Sequence, residues 1–91
     1  MNECEEIHEP VEVIAVYRHA DTGQCCFPAK MKYRGQEIAF TELGLRHPTS
    51  KGKRTVHVFD MSDGANDYRL EFDAERLTWT LVAILGGRYG R

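Results

Sequence analysis

Tyr68-Arg69-Leu70-Glu71-Phe72 and Trp79-Thr80-Leu81 alternate apolar and polar residues without a break. Successive side chains of a β-strand point to opposite faces, so each stretch reads as a strand with one apolar face. Asp73 to Thr78 connects them, and its only helical capacity is a single turn over Asp73–Leu77. A loop over Ala74–Leu77 sets Trp79 opposite Phe72 and Leu81 opposite Leu70. Those four side chains are therefore the expected packing centre.

Working outward, Thr78–Leu85 continues the last strand, with Trp79, Leu81, Ala83 and Leu85 on one face and Val82 and Ile84 on the other. Thr55–Met61 reads as the strand before the pair, followed by a turn at Asp63-Gly64. Its buried face is ambiguous. We expect Val56 and Val58 inward, because burying His57 without a partner costs more than burying valine. Upstream, Val11–Arg18 is apolar on both faces, as a central strand would be. Cys25–Arg34 places Phe27, Ala29, Met31 and Tyr33 on one side and Lys30, Lys32 and Arg34 on the other. Pro28 lacks an amide donor and belongs at an edge, a bulge or a strand start. A turn at Gly35-Gln36 would pair Tyr33 with Ile38 and Met31 with Phe40. Glu42–Arg54, broken by Gly44, Pro48 and Gly52, reads as the main irregular stretch.

The fold expected from this pattern is all-β, a small antiparallel meander of five to six strands with no substantial helix. Curling into a barrel or roll would cover its apolar face and its edges. The expected organisation is an acidic flexible head at 1–9, a single β domain at 10–86 and a flexible Gly/Arg tail at 87–91. Ninety-one residues suffice for one domain, and the 42% apolar and 29% charged content is ordinary for a globular one.

No apolar run approaches the roughly 20 residues of a membrane helix, so no membrane partner is expected. The acidic N-terminus lacks the basic-then-apolar pattern of a signal peptide, which makes the cytoplasm the default location. Cys4, Cys25 and Cys26 form no disulfide framework and read as reduced thiols.

The net charge of −2 is unevenly laid out. Residues 1–12 carry five Glu and no Lys or Arg, whereas residues 13–56 carry eight Lys/Arg against three acids. Lys30, Lys32 and Arg34 on one strand face, with Arg46, Lys51, Lys53 and Arg54 in the irregular stretch, are the candidate nucleic-acid-binding residues. Arg88, Tyr89 and Arg91 in the tail add to them. Small β-barrels bind single strands with basic grooves and stacking aromatics. The overall charge is not basic, however, and a solvated lysine row also discourages edge aggregation.

Ile14, Val16, Val82 and Ile84 exceed what one core side needs and are the candidate interface residues, for a protein partner or a homo-oligomer. Cys4 with His8, or His19 with Cys25 and Cys26, lacks zinc spacing, so no metal site is expected. Cys25 or Cys26 with His19 or His57 lacks any signature of a nucleophile pair, and no catalytic residue or cofactor is expected.

The segments Arg69-Leu70-Glu71-Phe72-Asp73 and Trp79-Thr80-Leu81-Val82 resemble the closing hairpin of short bacterial β-domains of uncharacterised function. The Tyr33–Ile38 hairpin is similar to their opening one. The resemblance implies a small β fold and carries no catalytic residue. The reading is thus a non-enzymatic binding or accessory domain, with protein–protein interaction or self-association first and nucleic-acid binding as the alternative.

Overall fold

The computed structural model describes residues 3–17, His19 and 26–86. The 87–91 tail, Arg18 and Cys25 lie outside the described residues. Seven strands are present: β1 (Glu3–Tyr17), β2 (Cys26–Tyr33), β3 (Gln36–Ala39), β4 (Glu42–Lys51), β5 (Arg54–Ser62), β6 (Asp67–Asp73) and β7 (Thr78–Gly86). They form one antiparallel sheet of order β3-β2-β1-β7-β6-β5-β4, and no helix interrupts it among the described residues.

The sheet is not closed into a barrel, because its order ends on β3 and β4. Yet these two edge strands are consecutive in the chain. Phe40 and Thr41 link them, donating backbone hydrogen bonds to Ala29 at 2.9 Å and Ser62 at 2.7 Å. Strands in a flat sheet lie about 4.8 Å apart, so β2 and β6 would be separated by roughly 14 Å. Met31 of β2 nevertheless shares one buried cluster with Phe59, Met61, Tyr68, Leu70, Trp79 and Leu81. Phe40 also meets the Tyr68 ring edge-on at 5.5 Å. The sheet therefore curls over its own apolar face.

β1 makes that curl. Its first half pairs with β7 from Glu3↔Gly86 to Val11↔Trp79, and its second half pairs with β2 from Glu12↔Lys32 to Tyr17↔Cys26. Fifteen extended residues would span about 50 Å, longer than the 35 Å long axis of the molecule. A bulge at Ile7-His8, with His8 at φ 55°, bends the strand. The acidic segment expected as a separate head is thus the first half of a central strand. It contributes Ile7 and Val11, which pack on the core.

The 42–54 stretch, expected to be irregular, is mostly the edge strand β4. Each of its breakers has a place there. Gly44 is the extra residue of a bulge, where a Cβ would meet the Asp60 carbonyl oxygen at 3.3 Å. Pro48 is tolerated because an edge amide can face solvent. Gly52, at φ 64°, opens the two-residue turn into β5.

The closing hairpin has the expected register, Phe72↔Trp79 and Leu70↔Leu81. Its connection closes as one turn, with the Leu77 amide donating to the Asp73 carbonyl at 2.7 Å. The opening hairpin turns at Arg34-Gly35 rather than Gly35-Gln36, with positive φ at both residues, as a type I′ turn requires. Partners therefore shift by two, to Met31↔Ile38, and the inward residues stay inward.

β5 takes the opposite face from the one expected. His57 pairs with Phe72 and Phe59 with Leu70, so Phe59 and Met61 point inward. This register buries a phenylalanine and a methionine on the core side. Val56 and Val58 are still 3% and 5% exposed on the outer side, beside the Arg54–Asp73 and Lys51–Glu71 ion pairs. The cost is the one the sequence reading feared: His57 Nδ1 is buried without a hydrogen-bond partner.

The β5–β6 loop is organised by Asp63. Its carboxylate accepts the Ala65 and Asn66 amides at 2.8 Å each and the Tyr68 hydroxyl at 2.8 Å. Burial opposes ionisation of Asp63, but those hydrogen bonds together outweigh it and hold its pKa below 3.8. Burial, reinforced by Asp63, pushes Tyr68 up to about 12. A depressed carboxylate contributes stability above its unfolded pKa, which is lost as pH falls through the folded value. A raised phenol contributes stability below its unfolded value of 10.0, which is lost as pH rises toward 12. Asp63→Ala should cost about 1–2 kcal/mol at neutral pH. It should also flatten the loss of stability below pH ~4, where an unperturbed aspartate titrates. Thermal melts of both proteins across pH check this; parallel curves would contradict it.

Candidate functional site

The seven candidate cationic residues fall into two groups. Lys30, Lys32 and Arg34 lie on β2 and its turn, while Arg46, Lys51, Lys53 and Arg54 lie on β4, its turn and the start of β5. Along the sheet, β1, β7, β6 and β5 stand between β2 and β4. Most of these residues already face carboxylates. Arg34 reaches Glu9 at 2.8 Å, Lys51 reaches Glu71 at 3.3 Å, Lys30 lies 4.0 Å from Glu37, and Arg54 pairs with Asp73. Lys32 sits between Glu12 and Glu37 in the ladder. Arg46 and Lys53 are exposed and make no ion pair among the described residues. Hydrogen bonding and charge from Glu9 raise the Arg34 pKa, and its guanidinium lies over the Tyr33 ring at 5.1 Å.

The four candidate interface residues also separate. Ile14 is 60% exposed and lies opposite Lys30. Val16 is half-buried opposite Phe27. Ile84, expected outside, packs against the core. The reason is a bulge between Arg69↔Ala83 and Leu70↔Leu81, which leaves Val82 as the extra residue and reverses the facing beyond it. The pattern of Thr78–Leu85 gives no sign of that reversal, because both of its faces are apolar.

The thiols and imidazoles lie apart from one another. Cys4 is exposed opposite Leu85. Cys26 is half-buried opposite Tyr17, and its hydrogen bond to the Tyr17 hydroxyl raises that pKa above 10.0. His57 lies between Pro48 and Phe72 in the ladders. Among the described residues, no group of three His, Cys, Asp or Glu is placed to hold a metal ion.

Two depressions lie on the outer side of the sheet. The first spans β1, β2 and β3. Its rows Glu12–Lys32–Glu37 and Ile14–Lys30–Ala39 cross three strands and surround a depression of about 300 Å³. The second is a groove of about 440 Å³ across β4 to β7, lined by Gly44, Leu45, Leu85, Glu42, Asp60 and Arg69. Leu45 is 55% exposed there, a feature hidden in the sequence because Glu42–Arg54 did not read as a strand. Arg69 grips Asp60 with two hydrogen bonds, at 2.8 and 3.2 Å. Comparison of the chain with protein-family models, with curated proteins and with solved structures finds no match.

Proposed function

We propose that this chain is a non-enzymatic binding domain that self-associates through the outer face of β1, β2 and β3. The observation that carries the reading is Ile14, 60% exposed at the β1 end of a face whose charges alternate in sign. Two copies meeting about a two-fold axis need a self-complementary patch. Glu12 and Glu37 against Lys30 and Lys32 supply two charges of each sign beside the apolar Ile14. The edges argue for contact by faces. β3 has only four residues, and β4 carries Pro48, a bulge and Lys51, devices that blunt edge pairing. Nucleic-acid binding is the weaker reading, because most candidate cations sit beside carboxylates and an ion-paired cation releases fewer counterions.

Sedimentation velocity across a concentration series tests this. The expected result is a weight-average coefficient that rises with concentration and rises less in high salt, which screens the charge rows. A strict monomer at the highest concentration reached at low salt contradicts it.

A further inference from the structure

The outermost strands β3 and β4 are blunted against pairing, but β1 carries a further edge that is not. β7 pairs with β1 only as far as Val11, and β2 pairs with it only from Glu12 onward. Past Val11, no strand pairs with the β7 side of β1 among the described residues. The segment left open, Glu12-Val13-Ile14-Ala15-Val16-Tyr17, holds no proline and no lysine, two residues that guard natural edges. The bulge between Ile14 and Ala15 places its extra residue, Ala29, on β2, so β1 keeps its regular alternation.

The turn at Arg34-Gly35 fixes where the main-chain groups point. In a two-residue hairpin the flanking pair, here Tyr33↔Gln36, exchanges hydrogen bonds. Direction alternates along an antiparallel strand, so Lys32 turns its amide and carbonyl to β1, where Glu12 lies opposite. Glu12, Ile14 and Val16 therefore bond toward β2, while Val11, Val13, Ala15 and Tyr17 face the other way. Val11 meets Trp79 of β7 there. Val13, Ala15 and Tyr17 present the same groups where β7 has ended. An apolar strand with such an open side is a template for another strand.

We infer that this edge pairs with the same edge of a second copy of the chain, antiparallel about a two-fold axis at Ala15. The inference rests on the reading that the chain self-associates, and it adds a main-chain contact to the face around Ile14. The segment chooses its own copy because it is self-complementary, as a two-fold contact requires. Residues 13–17 carry no charge, so like meets like without repulsion. With the axis at Ala15, Val13 of each copy lies opposite Tyr17 of the other, and all three outward residues bond. An axis at Ile14 would set Tyr17 opposite Val11, whose main-chain groups β7 already occupies. The Ala15 register also sets Ile14 of each copy opposite Val16 of the other, as a non-bonded pair with closely spaced side chains. It thereby covers the two most exposed apolar side chains of the strand, Ile14 at 60% and Tyr17 at 67%. β1, β2 and β3 of the two copies then form one continuous sheet.

Amide hydrogen exchange of the native protein, followed by NMR at several concentrations beside sedimentation, tests this. Exchange at Val13, Ala15 and Tyr17 should slow as concentration rises, by roughly tenfold where about nine-tenths of the chains are paired. Exchange at Ile14 and Val16, bonded to β2, should not follow concentration. Ala15→Pro removes an outward amide and no bond to β2, so it should weaken self-association at least roughly tenfold while circular dichroism shows the fold retained. If Ala15→Pro does not fold, the exchange pattern decides alone. Self-association without selective slowing at 13, 15 and 17, or unchanged in a folded Ala15→Pro, overturns the edge pairing and leaves self-association through the face standing. A strict monomer overturns both.

Discussion

Trp79→Ala is expected to remove about 3–5 kcal/mol of stability, the usual cost of truncating a core aromatic. The indole is 9% exposed and packs against Phe72 at 4.8 Å and Phe59 at 5.4 Å between ring centroids. It also lies opposite Val11 of β1, so it ties the central strand to the closing hairpin. A domain of this size has little stability beyond such a loss, because small domains bury a modest share of their surface. Urea denaturation should show a midpoint displaced far to lower denaturant, or no folded baseline. A loss below about 1 kcal/mol would mean that the ring is solvated rather than buried.

The second large effect concerns the facing of β5. Phe59→Ala should cost about 3–5 kcal/mol, since Phe59 is 2% exposed and touches Trp79. His57→Leu should act in the other direction. His57 Nδ1 is buried and unpaired, and relieving an unsatisfied polar group is worth about 1 kcal/mol. The opposite register, with Val56 and Val58 inward, predicts the reverse pair: a mild Phe59→Ala and a His57→Leu that gains nothing. Equilibrium unfolding of the two variants side by side therefore decides the register.

What the sequence made legible follows physical lines. The closing hairpin could be read because its alternation is strict and its loop length fixes the pairing. The Tyr33–Ile38 hairpin was read with the right facing and the wrong turn, since a shift of two residues leaves side-chain parity intact. Two features stayed hidden. Edge strands tolerate Gly44 and Pro48, so β4 resembles a loop, and a glutamate-rich stretch that pairs with β7 resembles a free head. Bulges are the other reason. Each extra residue, at Ile7-His8, Gly44 and Val82, reverses facing without a change in composition, which is why Ile84 moved from the expected interface to the core. The candidate site was less legible than the fold. Arg34, Lys51 and Arg54 gain carboxylate partners from distant positions, and only pairing brings those partners near.

The packing centre and the exposed face of Ile14 are thus separate parts of one curled sheet. Phe59, Leu70, Trp79 and Leu81 hold the inner side, while Ile14 and the charge rows beside it lie outside. Ile14→Glu addresses that separation directly. An exposed position should tolerate the change with stability altered by no more than about 0.5 kcal/mol. Sedimentation equilibrium of the native and Ile14→Glu proteins, with their melting temperatures measured in the same buffer, is the decisive measurement. The account predicts equal melting temperatures and self-association lost or weakened at least roughly tenfold in the variant. Self-association of equal strength in both proteins would contradict it.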